Sequence, residues 1–440
     1  MKVMKFGGTS VGKPERMFAI SKLITNDDEP KIVVLSALSG TTNSLTEISK
    51  SLSKGERAVA KQQIDALELH YQNFIIKLVK SEKAYDKAKA IVAEHFEFLN
   101  IILKISYSEA LNKDILAQGE LLSSKLFSVY LHEQNIGHEW LPALDFMTID
   151  ALDEPQIGTI KVKLAQILKG FKNTTLFVTQ GYICRNAKGE VDNLKRGGSD
   201  YSASLIAAAI NASVCEIWTD IDGMHNNDPR VVSNTRPVEQ LSFEEAAELA
   251  YFGAKILHPA SIWPAQTFNI PVKLLNTLQP EAKGTLIISD AGSVGVKAVA
   301  AKDYITAIKI KSSRMLLAYG FLRKIFEVFE KYRTSIDMVT TSEVAVSVTI
   351  DNDAYLKKIV KELEVFGTVE IDTSQTIVSI VGNEITETED VMRKIFETIS
   401  PIPVRMVSYG GSRHNISLLI SKDDKEKALQ LLNKGLFDME

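Results

Sequence analysis

Six short segments carry residue types suited to handling phosphates and carboxylates. Val3-Met-Lys-Phe-Gly-Gly-Thr-Ser-Val11 ends an apolar run in a lysine, two glycines and two hydroxyls. Glycines at a strand end allow close backbone approach to a ligand, and bare N–H groups in such a turn form an anion nest. A strand followed by Gly-Gly is also an ordinary tight turn, so both readings stand, and no Walker A spacing occurs in the chain. Ser36-Ala-Leu-Ser-Gly-Thr-Thr-Asn43 suits a loop wrapping a polar ligand, or a plain polar turn. Ala117-Gln-Gly-Glu120 reads either as a ligand carboxylate or as a first-turn helix-dipole partner.

Leu194-Lys-Arg-Gly-Gly-Ser-Asp-Tyr201 gives a stronger signal. Arg196 can grip a carboxylate with its two-pronged donor set, beside a helix start that favours anions. Ser199 and Asp200 also suit helix capping, but a cap needs no neighbouring cation. Thr219-Asp-Ile-Asp-Gly223 ends a strand and Asn227-Asp-Pro-Arg230 follows, where open α/β sheets bind ligands, or where a polar turn stands. Phe252-Gly-Ala-Lys-Ile-Leu-His-Pro259 places Lys255 beyond a helix stop, ordinarily a dipole partner, and His258 before a proline, where it reads as a packed or capping histidine.

The elements that must position these residues alternate over the first 290 or so positions. Ile32–Ser36, Leu176–Thr179, Glu216–Thr219 and Val272–Leu275 read as strands covered on both faces. Ser202–Ala212 and Ser242–Phe252 read as helices, the second opening on a Ser242-Phe-Glu-Glu245 capping box and closing at Gly253. Residues 55–110, rich in Ala, Leu, Lys and Glu, read as a helical arm or insertion.

Beyond residue 290 the pentapeptide Arg-Lys-Ile-Phe-Glu occurs at 323–327 and again at 393–397. Each copy lies in an amphipathic helix; Phe321, Ile325 and Phe329 share one face. Strands at Ile336–Val339 and Val404–Val407 follow, then strands at Val344–Ile350 and Ile416–Ile420, then helices at Ala354–Phe366 and Lys425–Leu436. Shared order and spacing predict a tandem α+β repeat, suited to ligand binding or assembly.

Bulk properties set the limits. A chain of 440 residues predicts two or three domains. A formal charge of −4, with no basic run, argues against nucleic acid as a partner. Cys184 and Cys215 are too few for a disulfide framework or a cysteine metal site. No apolar run reaches membrane-spanning length and no signal peptide opens the chain, so the expectation is a cytoplasmic protein without membrane partners.

Taken together, Lys5-Phe-Gly-Gly-Thr-Ser-Val11, Ser36–Asn43, Gly119-Glu120, Arg196-Gly-Gly-Ser-Asp200, Thr219-Asp220, Asp228-Pro-Arg230 and Phe252–Pro259 resemble the aspartokinases of the amino acid kinase family. Ser335-Ile-Asp-Met-Val-Thr-Thr-Ser-Glu343 resembles the effector segment of that family's first ACT domain. The resemblance implies an α/β protein: an αβα sandwich catalytic domain over residues 1–290, then two α+β ACT domains over 300–370 and 371–440. It implies transfer of the ATP γ-phosphoryl to the β-carboxylate of L-aspartate, opening lysine, threonine and methionine biosynthesis, with Mg²⁺ held mainly by ATP oxygens and waters.

By the same resemblance Lys5, Gly7 and Gly8 meet the phosphates, and Asp200 orients the catalytic lysine. Arg196 pairs with the substrate α-carboxylate, Glu120 holds its amino group, and Ser36, Ser39, Thr42 and Ser199 line its loop. Thr219, Asp220, His225, Arg230 and Lys255 fall to the nucleotide. Met315, Gly320, Phe321, Leu322, Ser335, Asp337 and Thr341 fall to an amino-acid effector, lysine or threonine or both. Assembly as a homodimer or homotetramer through the ACT domains is also implied. The chain departs from the pattern at His225, a tyrosine in many members, and at Ala318, polar in some lysine-inhibited ones. Its end at Glu440 leads to the expectation that no homoserine dehydrogenase domain is fused to it.

Overall fold

The computed structural model describes residues 1–195, 197–253, 257–292, 294–312 and 319–437. Arg196, Lys255, Met315 and Ala318 lie outside the described residues. The chain divides into two compact units: residues 1–223 with 257–289, and residues 224–256 with 290–440.

In the first unit the strands run in the order Glu139–Leu141, Leu176–Gln180, Lys31–Leu35, Lys2–Phe6, Cys215–Thr219, Val272–Asn276, Thr285–Ile288. All neighbours pair parallel except the last. Lys2–Phe6 and Lys31–Leu35 are buried at every position, as parallel strands covered on both faces must be. Alternation sorts their side chains. Met4, Phe6, Val33 and Leu35 join a large core with the helices between Pro14 and Glu133. Val3, Lys5, Ile32 and Val34 point the other way, where the helix Gly198–Ile210 lies against these strands. This is the αβα sandwich.

Residues 55–110 do not form a protruding arm. Helices Arg57–Leu78 and Glu82–Ile102 place Ile64, Tyr71, Phe74, Val92, Phe96 and Leu99 in that same core. Their apolar positions at three- and four-residue spacing give each a buried stripe, and the charged residues occupy only the outer faces.

The second unit contains one six-stranded antiparallel sheet, ordered Val339–Thr341, Ala345–Ile350, Gly295–Lys311, Thr368–Asn383, Asn415–Ser421, Met406–Ser408. Its two central strands are long and pair with each other throughout, with register shifts between Lys302 and Ala307 and Tyr304 at φ 63°. The irregularity bends the ladder where one repeat gives way to the next. Helix Phe321–Lys331 buries Phe321, Ile325 and Phe329 on the first half, and Val391–Thr398 buries Ile395 on the second. The strands expected at Ile336–Val339 and Val404–Val407 instead lie at Val339–Thr341 and Met406–Ser408. The capping box is present: the Ser242 amide donates to Glu245 Oε2 at 2.6 Å, and the Glu245 amide to Ser242 Oγ at 3.1 Å.

Candidate active site

The parallel strands of the first unit end together, and the loops at their carboxyl ends build the site. The chain crosses from Lys2–Phe6 to the strand on one side and later returns to Cys215–Thr219 on the other, so Lys5 sits where strand order reverses. Strand parity puts Lys5 on the face covered by Gly198–Ile210. Its Nζ there lies 2.6 Å from Asp200 Oδ1, with both side chains largely buried. The contact is an ion pair without hydrogen-bond alignment, since Asp200 Oδ1 has no hydrogen-bond partner. Gly7 lies directly beside this ammonium: a Cβ there would stand 3.4 Å from Nζ.

A cavity of about 510 Å³ opens beside the pair. Its walls include Gly8 and Thr9, Ser36 to Gly40, Thr42 and Asn43, Glu120, Tyr182, and Gly198 and Ser199. Ser36, Ser39, Thr42, Glu120 and Ser199 therefore converge from three separate stretches of sequence. Thr219 and Asp220 end the neighbouring strand, with the Thr219 hydroxyl donating to Asp220 Oδ1 at 3.1 Å.

Two local readings are corrected. Glu120 is not in a first helical turn but in the middle of the 25-residue helix Glu109–Glu133, so it has no dipole role. Ser199 and Asp200 are not caps: Gly197, at φ 64°, is the N-cap of Gly198–Ile210, and they fall inside its first turn.

Glu120 is 4 % exposed, and its Oε2 has no hydrogen-bond partner among the described residues. Burial pushes its carboxyl up to about 8. A buried acceptor on a cavity wall, unsatisfied and costly to ionise alone, is suited to receiving a cationic ligand group. Lys5, beside the Gly7–Gly8 turn that adjoins this cavity, supplies fixed positive charge. The cavity can thus hold a small zwitterion by its ammonium and bring an anionic end toward the lysine.

Tyr182 is a site residue that sequence reasoning missed. It sits in the left-handed region at φ 67°, held by its amide donating to Ser202 Oγ at 2.7 Å and its carbonyl accepting from the Leu194 amide at 2.8 Å. A non-glycine residue there carries a local backbone cost that these two hydrogen bonds offset. Gly181 before it lets the helix start approach: a Cβ would meet Ser199 Cβ at 2.4 Å. The signal was available, since Thr179-Gln-Gly-Tyr182 repeats the strand-then-glycine pattern of Phe6-Gly-Gly8.

His225 and Arg230 belong to the second unit. The His225 Nδ1 lies 2.8 Å from Thr235 Oγ1, and Arg230 donates twice to Asp228, at 2.9 and 2.8 Å, holding that carboxyl below its ordinary value. His258 does cap: its Nδ1 accepts from the Ala260 amide at 3.2 Å. Of the effector candidates, Thr341 lines a second cavity of about 510 Å³ with Lys309, Lys311 and Ser347. Gly320 is the N-cap of the helix that Phe321 and Leu322 begin; Phe321 is a core residue and Leu322 is exposed. Ser335 is exposed, and the Asp337 carboxylate accepts from Lys302 Nζ at 2.8 Å and Tyr251 OH at 2.6 Å.

Comparison with known proteins adds to this geometry. The model of the amino acid kinase family matches residues 1–276, and an ACT domain model matches residues 378–436. The lysine-sensitive aspartokinase 3 of Escherichia coli is 34% identical over 99% of both chains. A chloroplastic aspartokinase 3 of Arabidopsis thaliana is 35% identical over 99% of this chain and 81% of its own. Two crystal structures of E. coli aspartokinase III are each 32% identical to this chain and cover 99% of it. The complex with aspartate and ADP superposes at a TM-score of 0.84 over 100% of its own length, and the complex with lysine and aspartate at 0.83 over 99%.

Proposed function

The chain belongs to the aspartokinases of the amino acid kinase family, and from that membership we propose that it transfers the γ-phosphoryl group of ATP to the β-carboxylate of L-aspartate. The product is 4-phospho-L-aspartate, the entry to lysine, threonine and methionine biosynthesis. The observation that carries this reading is the buried Glu120 carboxylate, its Oε2 unsatisfied, on the wall of a cavity of about 510 Å³ near the Lys5–Asp200 pair.

The chemistry needs little beyond that. A β-carboxylate with a pKa of about 3.9 is ionised at neutral pH, so no general base is required. The barrier is repulsion between an anionic nucleophile and a polyanion, and catalysis rests on positioning and charge neutralisation. Glu120 receives the substrate ammonium and Arg196 pairs with its α-carboxylate. Ser36, Ser39, Thr42 and Ser199 surround the chain, and Lys5, oriented by Asp200 and flanked by Gly7 and Gly8, neutralises the transferring phosphoryl. Thr219, Asp220, His225, Arg230 and Lys255 serve the nucleotide. No group of three or more acidic, histidine or cysteine side chains among the described residues is arranged to hold a metal. Mg²⁺ would arrive on ATP oxygens with its waters and would supply charge neutralisation between the phosphates.

Residues 1–290 form the catalytic domain, and ACT domains over 300–370 and 371–440 regulate it. Lysine, threonine or both bind at the segment of Met315, Gly320, Phe321, Leu322, Ser335, Asp337 and Thr341 and favour an inactive arrangement, which requires different affinity for two global states. The enzyme works in the cytoplasm as a homodimer or homotetramer; no described helix is long and apolar enough to cross a membrane. The test is ADP release with ATP and aspartate, with and without each amino acid. Release indifferent to aspartate refutes the reaction; release indifferent to millimolar lysine and threonine refutes the regulation.

A further inference from the structure

Lys5 and Glu120 stand on elements far apart in sequence, and one residue, Ser36, links them through its two backbone groups. The Ser36 amide donates to the carbonyl of Phe6, the residue after Lys5, at 3.2 Å. The Ser36 carbonyl accepts from Ser123 Oγ at 2.7 Å, and Ser123 lies one turn beyond Glu120 on the same helix. Around this link the helix presses on the loop. A Cβ on Gly119 would stand 2.8 Å from Ala37 Cβ.

We propose that Ser123 is a positioning residue that fixes the separation of the ammonium-binding Glu120 from the phosphoryl-binding Lys5, and so selects the length of the amino-dicarboxylic acid that reacts. The inference rests on the reading of the site given above. Ser123 is fully buried and touches the site through backbone alone. Its hydroxyl is also within 3.2 Å of the Glu120 carbonyl, but it has one proton, and the shorter contact to Ser36 takes it. Among the described residues no other hydrogen bond joins the helix to that carbonyl, so loss of the hydroxyl removes the tie between the half-buried Ser36 acceptor and the helix and lets the loop shift. A substrate one methylene longer differs from aspartate by about 1.3 Å in reach, so a small shift suffices to change which acid fits, and misplacement on this scale is costly to rate.

The decisive comparison is Ser123→Thr against Ser123→Val, which match in shape and differ in the hydroxyl. Wild-type ADP release dependent on aspartate is the prior condition; its absence removes the reaction reading before any variant is made. With Thr, kcat/KM for aspartate stays near wild type relative to Val, which falls about tenfold or more. The ATP KM stays within about twofold in both, and the ratio of aspartate to glutamate turnover drops only in Val. That ratio does not depend on how much enzyme is folded, so partial unfolding leaves it readable. Ser123→Ala reads the same ratio at lower steric cost. Ser128→Ala, which removes a buried hydroxyl 2.7 Å from His138 Nε2 on the same helix, serves as the control and leaves the ratio unchanged. Equal ratios in Thr and Val, or an Ala ratio equal to wild type, overturn the proposal, as does an equal change in the Ser128 variant.

Discussion

Aspartate binding should take up the cost of ionising Glu120, and this makes affinity depend on pH in a calculable way. With the carboxyl raised to about 8 by burial, only about a tenth of the free protein carries the charge at pH 7. The substrate ammonium requires that charge, so binding at pH 7 should release close to one proton. The aspartate Kd should improve about tenfold per pH unit from pH 5 to about 7.5, then level off above about 8. Aspartate itself has no group titrating in that window. Isothermal titration in two buffers of different protonation enthalpy reads the proton directly. Glu120→Gln should flatten the profile and converge with wild type near pH 5, where wild-type Glu120 is neutral as well. It should fall behind by about 2–5 kcal/mol above pH 8, where the charge pair is lost. A Kd constant from pH 5.5 to 8, with heats independent of buffer, would refute the assignment of Glu120 to the ammonium. The same shift carries a stability consequence. Between the ordinary value of 4.5 and about 8 the folded state keeps a proton that the unfolded chain has released, so ligand-free stability should decline as pH rises across that interval.

Other outcomes follow from individual contacts. Lys5→Ala should lower kcat by about 10²–10³ with the fold intact, and a kcat within threefold of wild type would remove its role. Arg196→Ala should weaken aspartate by roughly 2–5 kcal/mol and leave the ATP KM alone, which steady-state kinetics separates. Gly181→Ala forces a methyl into Ser199 at 2.4 Å; it should cost about 1–3 kcal/mol in urea unfolding and raise the aspartate KM. In the second unit, Lys297 Nζ lies 2.9 Å from the fully buried Glu245 carboxylate, so Lys297→Met should destabilise by about 3–5 kcal/mol; an unfolding midpoint equal to wild type would count against the pair.

Much of this protein was legible in its residues. Unbroken apolar runs such as Ile32–Val34 required strands covered on both faces, and the repeated Arg-Lys-Ile-Phe-Glu marked two helices of like function. Strand-end glycines located Gly7 and Gly8, because local backbone freedom is a property of the residue itself. What depended on non-local packing was not legible. Glu120 looked like a first-turn residue because nothing in Ala117-Gln-Gly-Glu120 tells that three turns of helix precede it, from Glu109. The charged composition of residues 55–110 suggested an arm, yet their buried stripe completes the main core. Chain identity fixed which groups can bear charge and where the backbone can turn. Only the tertiary structure decided that Glu120 is buried with its Oε2 unsatisfied, that Lys5 meets Asp200, and that Ser123 reaches Ser36, because desolvation and distance are set by neighbours remote in sequence.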